Sequence, residues 1–177
     1  NLPDDEQSAA MQEMIEQITS GHQYRNYETS AFAQAGKESR HNMNYWLFGD
    51  YVGIGAGAHS KISFADRIVR QMRYKQPKEY LAKAKAAESL IQAQHVLIPE
   101  DRGFEFMMNA LRLTGGFETS LFQERTGLPI SAIKKPLDEA EQRLLIVRNN
   151  LHINPTVLGR RFLNDLLQIF LPEANSQ

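Results

Sequence analysis

The segment Arg40-His41-Asn42-Met43-Asn44-Tyr45-Trp46-Leu47-Phe48-Gly49-Asp50-Tyr51-Val52-Gly53-Ile54-Gly55-Ala56-Gly57-Ala58-His59-Ser60 decides how this chain is read. It holds the only tryptophan and two of the five histidines. Glycines alternate with small apolar residues towards its end. The residues before it read as the end of a larger domain, and those after it read as a helical appendage.

Its glycines invite a dinucleotide reading, which fails. That fingerprint requires G-x-G-x-x-G between a strand and a helix. Here the third spacing is wrong, and Ser60 to Phe64 reads as more strand. No Gly-Lys-Ser/Thr comes after it, so a phosphate-binding loop is excluded. Residues Tyr51 to Ala58 are instead expected as a buried strand thinned by glycine, where glycine permits close backbone approach. His41 to Leu47 is expected as a short helix, which puts His41 and Tyr45 on one face. An imidazole beside flat rings suits a planar aromatic ligand. The same residues also read as ordinary core, with His41 merely hydrogen-bonded. Spacing alone favours that second reading.

Working outward, Asp4, Asp5 and Glu6 open a helix, with Met11, Met14, Ile15 and Ile18 on one face and Gly21 as its stop. Gln23 to Ala33 is strand-like, so helix and strand form half of a βα repeat whose earlier strands lie elsewhere. Glu28 falls within that strand, either paired with a base such as Arg40 or facing a barrel interior. Asn1, not a methionine, stands first, which leads us to expect an N-terminal truncation. Ile62 to Tyr74 reads as extended. It carries Arg67, Arg70 and Arg73, which suit either carboxylate binding or a solvated edge. Pro77 and Pro99 open helices, the first through Leu90 and Ile91 and the second with Phe104, Met107, Met108 and Leu111 inward. A short helix ending at Gly127, a helix through Ile133, Leu137 and Ala140, a hairpin turning at Asn149-Asn150, and a last helix from Thr156 to Leu171 complete the chain. The expected domains are 1–75 and 76–177.

Composition bounds the function. The chain has 177 residues, a formal net charge of -1 and no cysteine. Thiolate zinc sites, disulfides, thiol nucleophiles and cysteine-ligated clusters are therefore excluded from this chain itself. Absence of disulfides fits the cytoplasm. No apolar run approaches a membrane span, which leaves peripheral membrane association at most. The C-terminal helix-turn-helix and hairpin are winged-helix-like. A DNA reader should be basic, however, and Lys134 and Lys135 are accompanied by Asp138, Glu139 and Glu141, so no nucleic-acid partner is expected.

Tyr27-Glu28-x-Ser30-x-Phe32-Ala33, then Gly36, then Ser39-Arg40-His41-Asn42-x-x-Tyr45-Trp46, then Tyr51-x-Gly53-x-Gly55-x-Gly57-Ala58-His59-Ser60 form an ordered series. The series resembles the haem chaperones of the HemW type, oxygen-independent coproporphyrinogen III oxidase-like proteins of the radical S-adenosylmethionine superfamily. Phe104 to Asn109 and Leu158 to Leu171 are similar to that family's C-terminal helical domain. The resemblance implies an α/β plus α fold: the end of a partial (β/α)6 barrel, with Tyr24 to Ala33 as its last strand, followed by the helical domain. It implies a haem-binding signature in His41, Asn42, Tyr45 and Trp46, with His41 as the contact to the iron. It places Gly55, Gly57, Ala58 and His59 near S-adenosylmethionine, and a [4Fe-4S] cluster in the full-length protein. The family's cluster cysteines are absent here, so this chain does not ligate the cluster. Thr29 and Ala31 also depart from the pattern beside Ser30. The implied partners are the missing N-terminal barrel half and haem-accepting proteins, with a homodimer left open. The alternative within the resemblance is a coproporphyrinogen III oxidase performing oxidative decarboxylation.

Overall fold

The computed structural model describes residues 2–172. It opens with helix α1 (Asp5–Gly21), which Asp4 caps. The Gln7 amide donates to Asp4 Oδ1 at 2.8 Å, and the Asp4 amide donates to Gln7 Oε1 at 3.2 Å. This reciprocal pairing satisfies two of the donors that a helix start leaves open. The apolar face of α1 is real but uncovered, with Met14 and Ile18 60% and 58% exposed.

The single strand expected from Gln23 to Ala33 is a hairpin of β1 (Arg25–Glu28) and β2 (Ala31–Ala33). Polar side chains make the turn. Asn26 Nδ2 donates to the carbonyls of Glu28 (2.6 Å) and Ala31 (3.2 Å), and Ser30 Oγ donates to Glu28 Oε1 (3.2 Å). Such side chain to backbone bonds compete with a continuous strand, and period-two patterning does not register them. Helix α2 (Arg40–Trp46) forms where expected, with the Ser39 hydroxyl accepting from the Asn42 amide at 3.3 Å.

The buried strand expected over Tyr51 to Ala58 is corrected. Only Tyr51 makes a bridge, to Lys61, and the residues after it form a loop. Gly55 and Gly57 have φ of +105° and +73°, a left-handed geometry that breaks a strand and that side-chain-bearing residues rarely adopt. Val52 and Ile54 stand in solvent, 65% and 87% exposed. The extended run from Ile62 to Tyr74 is likewise a hairpin, β3 (His59–Ser63) with β4 (Ile68–Arg73), closed where the Phe64 amide donates to the Arg67 carbonyl at 2.7 Å. Helix α3 (Pro77–Lys85) is shorter than expected. Ile91 opens β5 (Ile91–Val96), which pairs with β4 to give the order β3-β4-β5. The sheet therefore crosses the expected boundary near Tyr74 to Pro77.

Helix α4 (Pro99–Ala110) leads into β6 (Phe117–Glu118), α5 (Thr119–Thr126), a 3-10 turn (Ile130–Ile133) and α6 (Lys134–Gln142). Strands β7 (Ile146–Arg148) and β8 (His152–Pro155) come next, in the sheet order β6-β8-β7. Gly127 ends α5 in the left-handed conformation. Asn149 Oδ1 accepts from the amides of Leu151 and His152, both at 2.8 Å, which fixes the expected hairpin turn. The last helix is two pieces, α7 (Val157–Arg161) and α8 (Leu163–Gln168), broken at Phe162. The break lets Gly159 sit on the Leu145 carbonyl, where a Cβ would lie 1.9 Å away, while Leu166 and Phe170 still reach the core. Thr156 anchors this corner. Its hydroxyl accepts from the Gly159 amide (3.0 Å) and donates to the Leu144 carbonyl (2.7 Å). Thr156→Ala is expected to cost about 1–2 kcal/mol as a lost helix cap, read as a lowered urea midpoint with unchanged slope.

The chain is a mixed α/β structure. Among the described residues every sheet pairing is antiparallel. One buried cluster spans both sides of the expected boundary. Phe48 and Ile68 pack with Leu97, Phe106, Phe117 and Phe122. Phe106 lies at its centre, edge-to-face with Phe48 (5.8 Å), Phe117 (5.0 Å) and Phe122 (5.2 Å).

Candidate functional site

Helix α2 presents its signature side chains in a graded way. His41 is exposed, and Asn42, Tyr45 and Trp46 are half-buried. The helical spacing brings the His41 and Tyr45 rings to 4.9 Å, edge-to-face. Tyr45 in turn packs on Tyr51, with centroids 4.3 Å apart. The result is a short stack of rings with the imidazole at its open end. Asn42 faces the other way, its Nδ2 donating to the Tyr27 hydroxyl at 3.1 Å and tying α2 to β1. Trp46 lies under the Arg112 guanidinium at 4.7 Å, a cation–π contact from the turn after α4. Trp46 Nε1, Arg112 Nε and Glu28 Oε2 are buried without a hydrogen-bond partner. Glu28 is 2% exposed and bonded to Ser30, so Arg40, which is exposed, is not its partner.

Behind the rings stand Arg70, one of the three arginines read as suiting carboxylate binding or a solvated edge, and Glu105, which spacing did not single out. Arg70 Nη1 donates to the Tyr51 hydroxyl at 2.6 Å, and its Nε donates to Glu105 Oε2 at 2.9 Å, with Nη2 on the same oxygen. Burial pushes the Tyr51 hydroxyl above its ordinary pKa, and the neighbouring Arg70 charge pulls the other way without prevailing. Of the three arginines in the 62–74 run, only Arg70 makes this internal pairing. Arg67 pairs at the surface with Asp66, and Arg73 Nε reaches the Gly53 carbonyl at 3.4 Å. The sequence signal for Glu105 was a lone carboxylate inside Phe104-Glu105-Phe106, an apolar helix run.

Lys61 is the second missed residue. It is 1% exposed, and its Nζ donates to the Phe48 carbonyl (3.0 Å), Asp50 Oδ1 (3.0 Å) and Ser63 Oγ (3.1 Å) while lying 4.1 Å over the Phe48 ring. Burial holds the Lys61 ammonium below its ordinary pKa, and the bond to Asp50 offsets part of that. For Asp50, burial acts upward but is outweighed by bonds from Ser63 and Lys61, so its carboxyl is held low.

The loop carrying Gly55, Gly57, Ala58 and His59 lies against the β3–β4 hairpin. The Gly57 amide donates to the Tyr74 carbonyl (2.8 Å), the Arg73 amide to the Ala58 carbonyl (2.8 Å), and the Gly53 amide to Ser60 Oγ (2.9 Å). Gly53 itself lies so close that a Cβ would meet the His59 carbonyl at 2.2 Å. His59 is exposed. Among the described residues no group of three histidine, aspartate or glutamate side chains is placed to hold a metal ion, and no helix is long and apolar enough to cross a membrane.

This mixed α/β fold has a known counterpart. The chain superposes on coproporphyrinogen III oxidase (HemN) from Escherichia coli, described as a radical SAM enzyme, with a TM-score of 0.69 at 15% identity, over 96% of this chain and 42% of that one. At that identity the likeness shows the fold alone. Residues 97–162 match the HemN C-terminal domain family. Sequence relatives are more specific. Heme chaperone HemW of Haemophilus influenzae is 43% identical and that of Escherichia coli 37%, each over 97% of this chain. Over nearly its whole length the chain is similar to these HemW-type chaperones. It spans 44% of the length of each of these two relatives.

Proposed function

We propose that this chain supplies the haem-contacting segment and the helical, winged-helix-like C-terminal domain of a HemW-type haem chaperone. The observation that carries the reading is the exposed His41 imidazole at the open end of the Tyr45–Tyr51 ring stack. An imidazole nitrogen ligates haem iron, and flat rings beside it accept the macrocycle. His41 would hold the iron. Tyr45 would stand beside the macrocycle, and Asn42 and Trp46 would set the orientation of α2 through Tyr27 and Arg112. The residues present fit that group.

They do not fit an iron–sulfur cluster, because the chain has no cysteine and no alternative ligand cluster among its described residues. The cluster, and most of the S-adenosylmethionine site, would belong to a barrel half contributed from outside these residues. Gly55, Gly57, Ala58 and His59 would approach that cofactor from one side. The amides of Gly53, Gly57 and Ala58 are already bonded within the fold, so the loop would approach with its exposed Val52 and Ile54 side chains and the exposed His59 imidazole. The partners would be the barrel half and haem-accepting proteins, in a cytoplasmic setting.

The coproporphyrinogen oxidase alternative rests on a likeness of fold, whereas the relatives at 37–43% identity carry the chaperone name. Titrating haemin into the chain while following the Soret band tests the reading. His41→Ala is expected to weaken binding at least about tenfold, since even a group one shell out from a metal carries about that weight, and to shift the Soret maximum. Identical titrations for the two proteins would overturn the assignment.

A further inference from the structure

We infer that Tyr51, Arg70 and Glu105 are positioning residues for the His41 site, linking the ring stack of α2 to helix α4. The inference rests on the haem reading and adds to it the route by which the rest of the fold holds the imidazole in place.

Helix α2 spans only seven residues and buries none of them fully, so its own packing orients it weakly. The His41 ring touches Tyr45, and Tyr45 touches Tyr51. Tyr51 is held in two ways: its backbone bridges Lys61 in β3, and its hydroxyl accepts from Arg70 at 2.6 Å. Arg70 has no freedom to drift, because Nε and Nη2 both close on Glu105 Oε2, and the Arg70 and Glu105 side chains are each only 19% exposed. Charge-assisted bonds in a partly dry setting are the stronger kind. A chain of contacts thus runs from a solvent-facing imidazole to a helix that carries the centre of the core. The bonds are directional, so they set the plane of Tyr51. The plane of Tyr51 sets that of Tyr45, against which the His41 ring packs nearly perpendicular.

The test is a set of haemin titrations on the intact chain. Tyr51→Phe removes only the hydroxyl and leaves the ring stack; Glu105→Gln removes the charge that fixes Arg70. Each is expected to weaken haemin binding about fivefold, the weight of one hydrogen bond, and to broaden the Soret band. Because both act through Arg70, the double variant should be no weaker than either single one. In a His41→Ala background neither substitution should matter. That last arm separates positioning from general destabilisation, which would weaken binding in both backgrounds. Unchanged affinity in Tyr51→Phe and Glu105→Gln, with His41→Ala still impaired, overturns the inference alone. Equal losses with and without His41 overturn it as well. If wild type and His41→Ala bind alike, the haem reading falls first and takes the inference with it.

Discussion

Phe106→Ala is expected to destabilise the chain by about 3–5 kcal/mol, the range for truncating a fully buried phenylalanine. Phe106 is completely buried, and three other phenylalanines meet it edge-to-face. Truncation removes those ring contacts and leaves a cavity that the flanking β-sheet and helices cannot close, since Phe48, Phe117 and Phe122 are anchored by different elements. The same cluster contains Phe48 and Ile68 as well as residues of the helical part. Unfolding followed by circular dichroism and by Trp46 fluorescence should therefore shift together. Separate transitions, or a loss below about 0.5 kcal/mol, the size of a surface substitution effect, would show that the two parts do not share a core.

Asp50→Ala should cost about 2–3 kcal/mol, as expected for a charged hydrogen bond withdrawn from a buried partner. The Lys61 ammonium would be stranded between the Phe48 carbonyl, its ring and Ser63. Lys61→Met should cost less, because it removes the buried charge instead of leaving it unpaired. The pair also carries a pH signature. Asp50 titrates lower in the folded chain than its ordinary value of 3.8, so the unfolded chain takes up this proton first as pH falls. Its stabilisation is whole above that value and drains away as pH drops through the folded pKa. Between neutral pH and about pH 3, just below the ordinary aspartate value, the wild type should therefore lose more stability than Asp50→Ala. Parallel pH profiles for the two proteins would remove Asp50 from this role.

The parts of the site that were legible are those whose geometry is local. Helical periodicity places His41 and Tyr45 on one face, and the rings meet at 4.9 Å. The Gly127 cap, the proline-opened helices and the Asn149-Asn150 turn arise from residue chemistry within a few positions. Runs of extended residues were misjudged for a common reason. Hairpin turns at Thr29-Ser30 and between Phe64 and Arg67 are closed by a few local hydrogen bonds, which leave no break in the alternation of apolar and polar residues. The glycine stretch was misread because alternating glycines mimic a strand, while positive φ at Gly55 and Gly57 depends on what the loop is bonded to.

By itself the sequence determined the likeness to HemW-type proteins, the short helix α2 and the order of most C-terminal elements. Each of these is written in contiguous residues and short periodicities. Only the tertiary structure decided what holds that helix. Arg112 over Trp46, Arg70 between Tyr51 and Glu105, and Lys61 beneath Phe48 join residues 13 to 66 positions apart in the chain, and their energies depend on burial and direction. Chain spacing carries neither quantity, because a charged side chain reads the same on a solvated edge as in a partner's grasp until the fold has brought that partner within reach.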